Sequence, residues 1–289
     1  QQQYKAFVQQ AERRLNELCD VYLPVKAQIS QAARYSLLGG GKRVRAVLAL
    51  AACQLAGGDT AAAADYAAAL EMLHCYSLIH DDMPCMDNDD YRRGRLSCHK
   101  QYGEATALLA ADALVTAAFE AVANAPTQPQ SRVQAAARLA KAAGARGMLF
   151  GQELDKHYET VRASESELLE LHAHKTGALI IAGVDLGCDA AQADDALRTA
   201  LQHYAAELGL VFQIVDDILD VTATTEELGK PVGSDVENDK TTFITLYGLE
   251  GVRSLAKQHN DAALAALADL GPEADFLREM AVELLIRSK

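Results

Sequence analysis

The chain contains no tryptophan, and its ten tyrosines and six phenylalanines make up only 6% of 289 residues. The core must therefore be built mainly from Ala, Leu, Val and Ile, of which alanine and leucine favour helix. Proline is also scarce, and six residues are too few to interrupt long helices often. No segment alternates apolar and polar residues long enough to predict a strand. No run of eighteen or more uncharged apolar residues occurs, so no membrane-spanning helix is predicted. Gln1 to Gln10 form no apolar signal core. The six cysteines lack paired metal spacing and read as reduced, structural thiols, which suits a cytoplasmic protein. Cations are outnumbered, with 27 Lys and Arg against 40 Asp and Glu and a formal net charge of −13. That balance excludes a general basic face for nucleic acid. At first sight it also disfavours a protein that handles anions.

What is present is helix. The patterning predicts helices over about 1–19, 26–38, 44–57, 60–83, 103–124, 131–157, 165–175, 177–188, 191–221, 240–247, 252–270 and 273–287. Gly39-Gly40-Gly41 and Pro84 should end the second and fourth. Ser164 with Glu167 forms a capping-box signature. No linker rich in Pro, Gly or Ser divides the chain, and no solenoid repeat is visible. Residues 1–289 are therefore expected to form one all-α domain.

Two acidic clusters end apolar helical stretches. The first is Asp81-Asp82-Met83-Pro84-Cys85-Met86-Asp87, and the second is Asp216-Asp217-Ile218-Leu219-Asp220. Asp216 and Asp220 are four apart and share a helical face, where like charges repel. Solvated acidic turns explain most single Asp pairs. Two such clusters, both on apolar helices, instead require a compensating cation. All-oxygen ligands with room for water and phosphate point to Mg²⁺.

The scarce cations are placed. Gly39-Gly40-Gly41-Lys42-Arg43-Val44-Arg45 opens a helix, and its glycines suit close approach of a ligand to backbone beside a helix N-terminus. Arg92-Arg93-Gly94 follows the first acidic cluster, well set for bidentate phosphate contacts. Lys175-Thr176-Gly177 falls at a helix break, and Lys230 and Lys240 follow the second cluster. His74 stands seven residues before Asp81, two turns away on the same face. No Ser-His-Asp context and no strand-preceded Gly-Lys-Ser/Thr loop supports a hydrolase or nucleotide binder.

In this order, over nearly the whole chain, these residues resemble the trans (E)-prenyl diphosphate synthases, and within them the bacterial farnesyl diphosphate synthases. The resemblance rests on the loop at 39–43, the motif at 81–87 with Arg92-Arg93, Gly151-Gln152, Lys175-Thr176, and the motif at 216–220 preceded by Phe212-Gln213. One departure is Ala46, where relatives usually have proline, a change expected to matter little in a first helical turn.

The resemblance implies an isoprenoid-synthase bundle of about ten core helices around a deep central cavity, usually a homodimer. It implies head-to-tail joining of isopentenyl diphosphate to dimethylallyl and geranyl diphosphate, with several Mg²⁺ ions per site. By position, Asp81, Asp82 and Asp87 would ligate Mg²⁺ on one side of the allylic diphosphate. Asp216 would do so on the other, with Asp217 and Asp220 in support. Arg92, Lys175 and Lys230 would hold the allylic diphosphate. Lys42, Arg45, His74 and Arg93 would hold isopentenyl diphosphate, and Gln213, Thr176 and Lys240 would line the site. Tyr76, five residues and about 7.5 Å before Asp81 along a helix, would floor the cavity and limit the product to fifteen carbons. Rival readings are a geranylgeranyl or geranyl diphosphate synthase, a terpene cyclase, and a catalytically silent partner subunit. The last two fit poorly with two intact Asp motifs and the isopentenyl-binding cations.

Overall fold

The computed structural model describes residues 1–222 and 241–286. These fall into two compact units, one of residues 1–139 with 185–193, the other of residues 140–184 with the described residues after 193.

The first unit opens with α1 (Gln2–Tyr22), α2 (Gln28–Leu37), α3 (Val44–Leu55) and α4 (Thr60–Asp81). In α1, Phe7, Ala11, Leu15 and Leu18 recur at helical spacing and are buried, facing α3 and α4. Arg14 of α1 donates from Nε to the buried Asp65 of α4 at 2.5 Å, which fixes the two helices in register. The side chain of Asp59 caps α4 by accepting from the Ala61 N–H at 2.9 Å. From Ala63 to Ile79 almost every side chain of α4 is buried, as expected of a helix that is apolar all round. Each fully buried leucine there contributes roughly 1.5–3 kcal/mol.

A hairpin follows, of β1 (Tyr91–Arg92) and β2 (Arg95–Leu96). Its turn residues Arg93 and Gly94 have φ of 54° and 73°, the left-handed pair a tight two-residue connection requires. Two-residue strands are too short to produce an alternating pattern, so no strand was predicted here. The unit continues with α5 (Cys98–Tyr102), α6 (Glu104–Asn124), α7 (Pro129–Ala143) up to Leu139, and the end of α10 (Ala178–Ala191). Among the described residues α6 is long and apolar enough to cross a membrane by length and composition. Asp112 interrupts it, and its inner face of Ala107, Ala110, Ala111 and Leu114 is buried while the helix packs on α2 and α4.

The second unit contains α8 (Met148–His157), α9 (Glu165–His172), a π-helical turn at Ala173–Gly177, the start of α10, α11 (Asp195–Thr222), α12 (Phe243–Ala266) and α13 (Asp275–Ile286). The helix expected over 131–157 is two. A Cβ at Gly147 would lie 2.1 Å from the Ala142 carbonyl oxygen, and the chain turns between Ala143 and Met148. The helices expected at 240–247 and 252–270 form one element with a kink at Gly248, whose φ is 67°. The predicted capping box is present: Ser164 accepts from the Glu167 N–H, and Glu167 accepts from the Ser164 N–H. Tyr204, fully buried, donates to the Leu277 carbonyl at 2.8 Å and ties α11 to α13.

Candidate active site

In the first unit the acidic cluster is built by the end of α4 and the turn after it. Pro84 cannot continue the helix. The chain folds back so that the Asp87 N–H donates to the Asp81 carbonyl at 2.8 Å, and the Asn88 N–H to the Met83 carbonyl at 3.1 Å. This brings Asp87 beside Asp81. Asp81 is the last residue of α4 and, like Asp82, is buried. Carboxylates there oppose the partial negative charge of a helix C-terminus, which a bound cation would offset. Burial raises the Asp82 carboxyl above its usual range, although Arg92 lowers it in part. Arg92 donates to Asp82 Oδ1 through Nε at 2.9 Å and through Nη2 as well.

Arg93, at the hairpin turn, donates to the Gly40 carbonyl. The structure also shows what the glycines of the 39–41 loop accommodate. A Cβ on Gly41 would lie 3.0 Å from the Arg93 guanidinium, and one on Gly39 would lie 3.1 Å from that of Arg95. Besides any approach of a ligand to its backbone, the loop seats two arginines. Arg95 in turn stacks 4.0 Å above the Tyr35 ring. Together with Tyr35, Ser36, Cys75 and Asp82, Arg92, Arg93 and Arg95 line one cleft. Lys42 is exposed and Arg45 half-buried. Burial first, then the charges of Arg45 and Arg93, push His74 well below its usual pKa, so its imidazole is neutral at pH 7. Tyr76 is buried with its ring edge-on to His80 at 5.7 Å. Burial, then the nearby Asp81 charge, push the Tyr76 hydroxyl up to about 12, so it too stays neutral.

In the second unit the Lys175-Thr176 pair lies in the π-helical turn, a feature frequent at functional sites. Lys175 Nζ is 2.5 Å from Asp155 Oδ2 of α8. A Cβ on Gly151 would lie 2.1 Å from the Lys175 backbone nitrogen, so only glycine lets α8 pack this closely on the turn. Thr176 Oγ1 donates to Gln213 Oε1 at 3.4 Å, and Gln213 Nε2 donates to Asp217 Oδ1 at 3.2 Å. Asp217 Oδ2 accepts from the Phe243 N–H at 3.0 Å, at the start of α12. Asp217 and Asp220 are buried and Asp216 is half-buried, all in the last two turns of α11. His172 packs on the Phe243 ring at 5.2 Å, and burial, then Lys175, push its pKa down to about 3.

The structure therefore gathers Asp81, Asp82, Asp87 and Arg92, places Arg93 on the 39–41 loop, and links Lys175, Thr176, Gln213 and Asp217. Lys230 and Lys240 lie outside the described residues. Asp155 and Phe243 carried no sequence signal, because each acts across a long chain separation. Glu71 did carry one, a carboxylate inside an apolar stretch of helix.

The family model described as Polyprenyl synthetase matches residues 26–273. The chain is 41% identical to a farnesyl diphosphate synthase of Micrococcus luteus over 276 residues, 95% of each chain. It is 44% identical to geranylgeranyl pyrophosphate synthase 9, chloroplastic, of Arabidopsis thaliana, covering 93% of this chain and 77% of that one. Among solved structures it is similar to an apo FPP/GFPP synthase of Zymomonas mobilis, with TM-score 0.86, 37% identity and 98% of both chains covered.

Proposed function

Because the chain belongs to the polyprenyl synthetase family and is a trans-prenyl synthase, we propose that it makes farnesyl diphosphate. It would do so by joining isopentenyl diphosphate to dimethylallyl and then geranyl diphosphate. The observation that carries the fifteen-carbon assignment is Tyr76, a buried ring on α4 five residues before Asp81. A chain growing away from the Asp81 end of that helix meets this ring. Tyr76→Ala is expected to shift the product toward twenty carbons; an unchanged fifteen-carbon product contradicts the assignment. A wild-type product of twenty carbons would favour the geranylgeranyl reading, which relatives at 44% identity keep in view.

The donor set of the two motifs is six aspartates, with hard oxygen ligands suited to Mg²⁺. Asp81, Asp82, Asp87 and Asp216 would hold the ions, with Asp217 and Asp220 in support. When bound there, Mg²⁺ would supply positive charge that offsets the charge on a leaving diphosphate. Arg92 and Lys175, with Lys230, bind the allylic diphosphate. Each of the first two already carries an acidic partner, Asp82 and Asp155, which orients it. Asp217 acts through Gln213 and the Phe243 N–H, fixing the end of α11 against the start of α12. Gln213 and Thr176 line the site. The isopentenyl double bond attacks the allylic cation, forming the new carbon–carbon bond. A proton then leaves the neighbouring carbon, and the released diphosphate accepts it. Apolar walls exclude water that would quench the cation.

Lys42, Arg45, Arg93 and the neutral His74 bind the isopentenyl diphosphate without metal, so that it is retained and not ionised. Lys42→Ala or Arg93→Ala should raise KM for isopentenyl diphosphate about tenfold, with a smaller change for the allylic substrate. Equal changes in both KM values contradict this division.

We further propose that residues 1–289 act as one catalytic domain. The motifs needed for one reaction are divided between the two units, and α10 contributes to both. A homodimer is supported by Leu108 and Leu109 of α6, which are 47% and 52% exposed on an apolar helix. A cytoplasmic location is supported by six cysteines that form no disulfide, five of them buried.

A further inference from the structure

We propose that Glu71 is a positioning residue for the isopentenyl diphosphate site: a buried carboxylate that holds Arg43 and the N-terminus of α3, and through them Lys42, Arg45 and Arg93. The proposal rests on the reading of that site given above.

Glu71 is 2% exposed in the middle of α4, an apolar helix where an unpaired carboxylate would be strongly disfavoured. Both of its oxygens are engaged. Oε2 lies 3.3 Å from Arg43 Nη1, and Oε1 accepts from the Ala46 N–H at 3.2 Å. Ala46 is the third residue of α3, where a backbone N–H has no partner within its own helix. Glu71 thus caps α3 from a neighbouring helix and places negative charge at the positive end of its dipole. This contact requires a residue with an N–H at position 46, which alanine supplies and proline would not.

Arg43 is 4% exposed and joins several elements. Its Nη2 donates to the Leu37 carbonyl at the end of α2 at 2.7 Å, and its Nε lies 3.6 Å from Glu12 of α1. Its φ is 52°, an uncommon conformation for a residue with a side chain, which persists where surrounding contacts over-determine it. The direction in which the chain presents Lys42, immediately before Arg43, and Arg45, two residues after it, is set by that conformation. The Lys42 carbonyl is gripped as well, by the Tyr4 hydroxyl at 2.5 Å.

Charge adds to geometry. His74 stands one turn beyond Glu71 on the same side of α4. Arg43 and Glu71 act on Arg93 with opposite sign, Arg43 disfavouring its charge and Glu71 favouring it. Without the carboxylate, Arg43 and Arg93 would repel across the loop that must present them to a diphosphate.

The test is calorimetric titration of the full chain with isopentenyl diphosphate, alongside steady-state KM values for both substrates and thermal melts. Glu71→Gln keeps size and shape but loses the charge; Arg43→Lys keeps charge but loses the forked contacts, and serves should the first variant fail to fold. Each is expected to weaken isopentenyl diphosphate binding about tenfold while changing KM for the dimethylallyl substrate less than twofold. Ala46→Pro, which removes the N–H and fixes the backbone at that position, is expected to give a smaller loss with the same selectivity. Wild-type affinity in both Glu71→Gln and Arg43→Lys, or equal losses for the two substrates, overturns the role of Glu71 alone. Failure of the wild-type chain to bind isopentenyl diphosphate overturns the site reading and the positioning role together.

Discussion

Asp81→Ala and Asp216→Ala should each lower kcat by about 10³-fold while leaving the thermal unfolding midpoint within a few degrees of wild type. The two halves of this expectation have different origins. Asp81 closes α4, and Asp216 lies in the penultimate turn of α11, four residues from Asp220. Negative charge at a helix C-terminus opposes the macrodipole, and like charges four apart repel. Neither aspartate is therefore expected to be needed for the fold, so losing it removes function with little loss of stability. For the reaction, each removes an oxygen ligand from the cation that stabilises the leaving diphosphate. Kinetics at saturating Mg²⁺ and both substrates, paired with melting curves, check both halves. A kcat within tenfold of wild type would remove these carboxylates from the reaction.

Gly151→Ala should lower kcat/KM for the allylic substrate about 100-fold. The added methyl group would lie 2.1 Å from the Lys175 backbone nitrogen and 2.4 Å from its Cα. Backbone must then move, because no flexible side chain end is present to give way. The π-helical turn would shift and carry Lys175 off Asp155 and off the substrate, while Thr176 would lose Gln213. Misplacement of a charged group by about an ångström costs rate out of proportion to the one methyl that causes it. KM for isopentenyl diphosphate, whose ligands lie on α3, α4 and the hairpin, should change little. An unaltered kcat/KM for the allylic substrate would show that the turn tolerates the shift and that Lys175 does not act through this packing.

The sequence and the structure agree where chemistry is local. The helices from α1 to α4 were legible because Phe7, Leu15 and Leu18 repeat at helical spacing and because glycine or proline ends each run. The Ser164–Glu167 cap needs only residues three apart, and the two Asp motifs are likewise short. Contacts across the chain were not legible. Arg43 reads as one more cation of a basic loop, yet it is buried on Glu71. Gly39 and Gly41 read as room for a ligand, yet they make room for Arg95 and Arg93, more than fifty residues away. Asp82 reads as a metal ligand and Asp217 as support for one, but the spacing does not show that Asp82 also grips Arg92, or that Asp217 holds Gln213 and the Phe243 N–H. In each case the partner is set by how helices pack, which spacing along one helix does not encode.

The net charge of −13 has the same lesson at a larger scale. Composition disfavoured an anion-handling protein. Placement reverses that, since aspartates end two apolar helices and Arg92, Arg93 and Arg95 converge on one cleft.

The most direct test is to incubate the purified chain with dimethylallyl diphosphate, isopentenyl diphosphate and Mg²⁺ and to identify the products by mass. The account predicts farnesyl diphosphate as the final product, geranyl diphosphate as an intermediate, and no turnover once a chelator removes the metal. A cyclic hydrocarbon, or no condensation of the two substrates under these conditions, would contradict it.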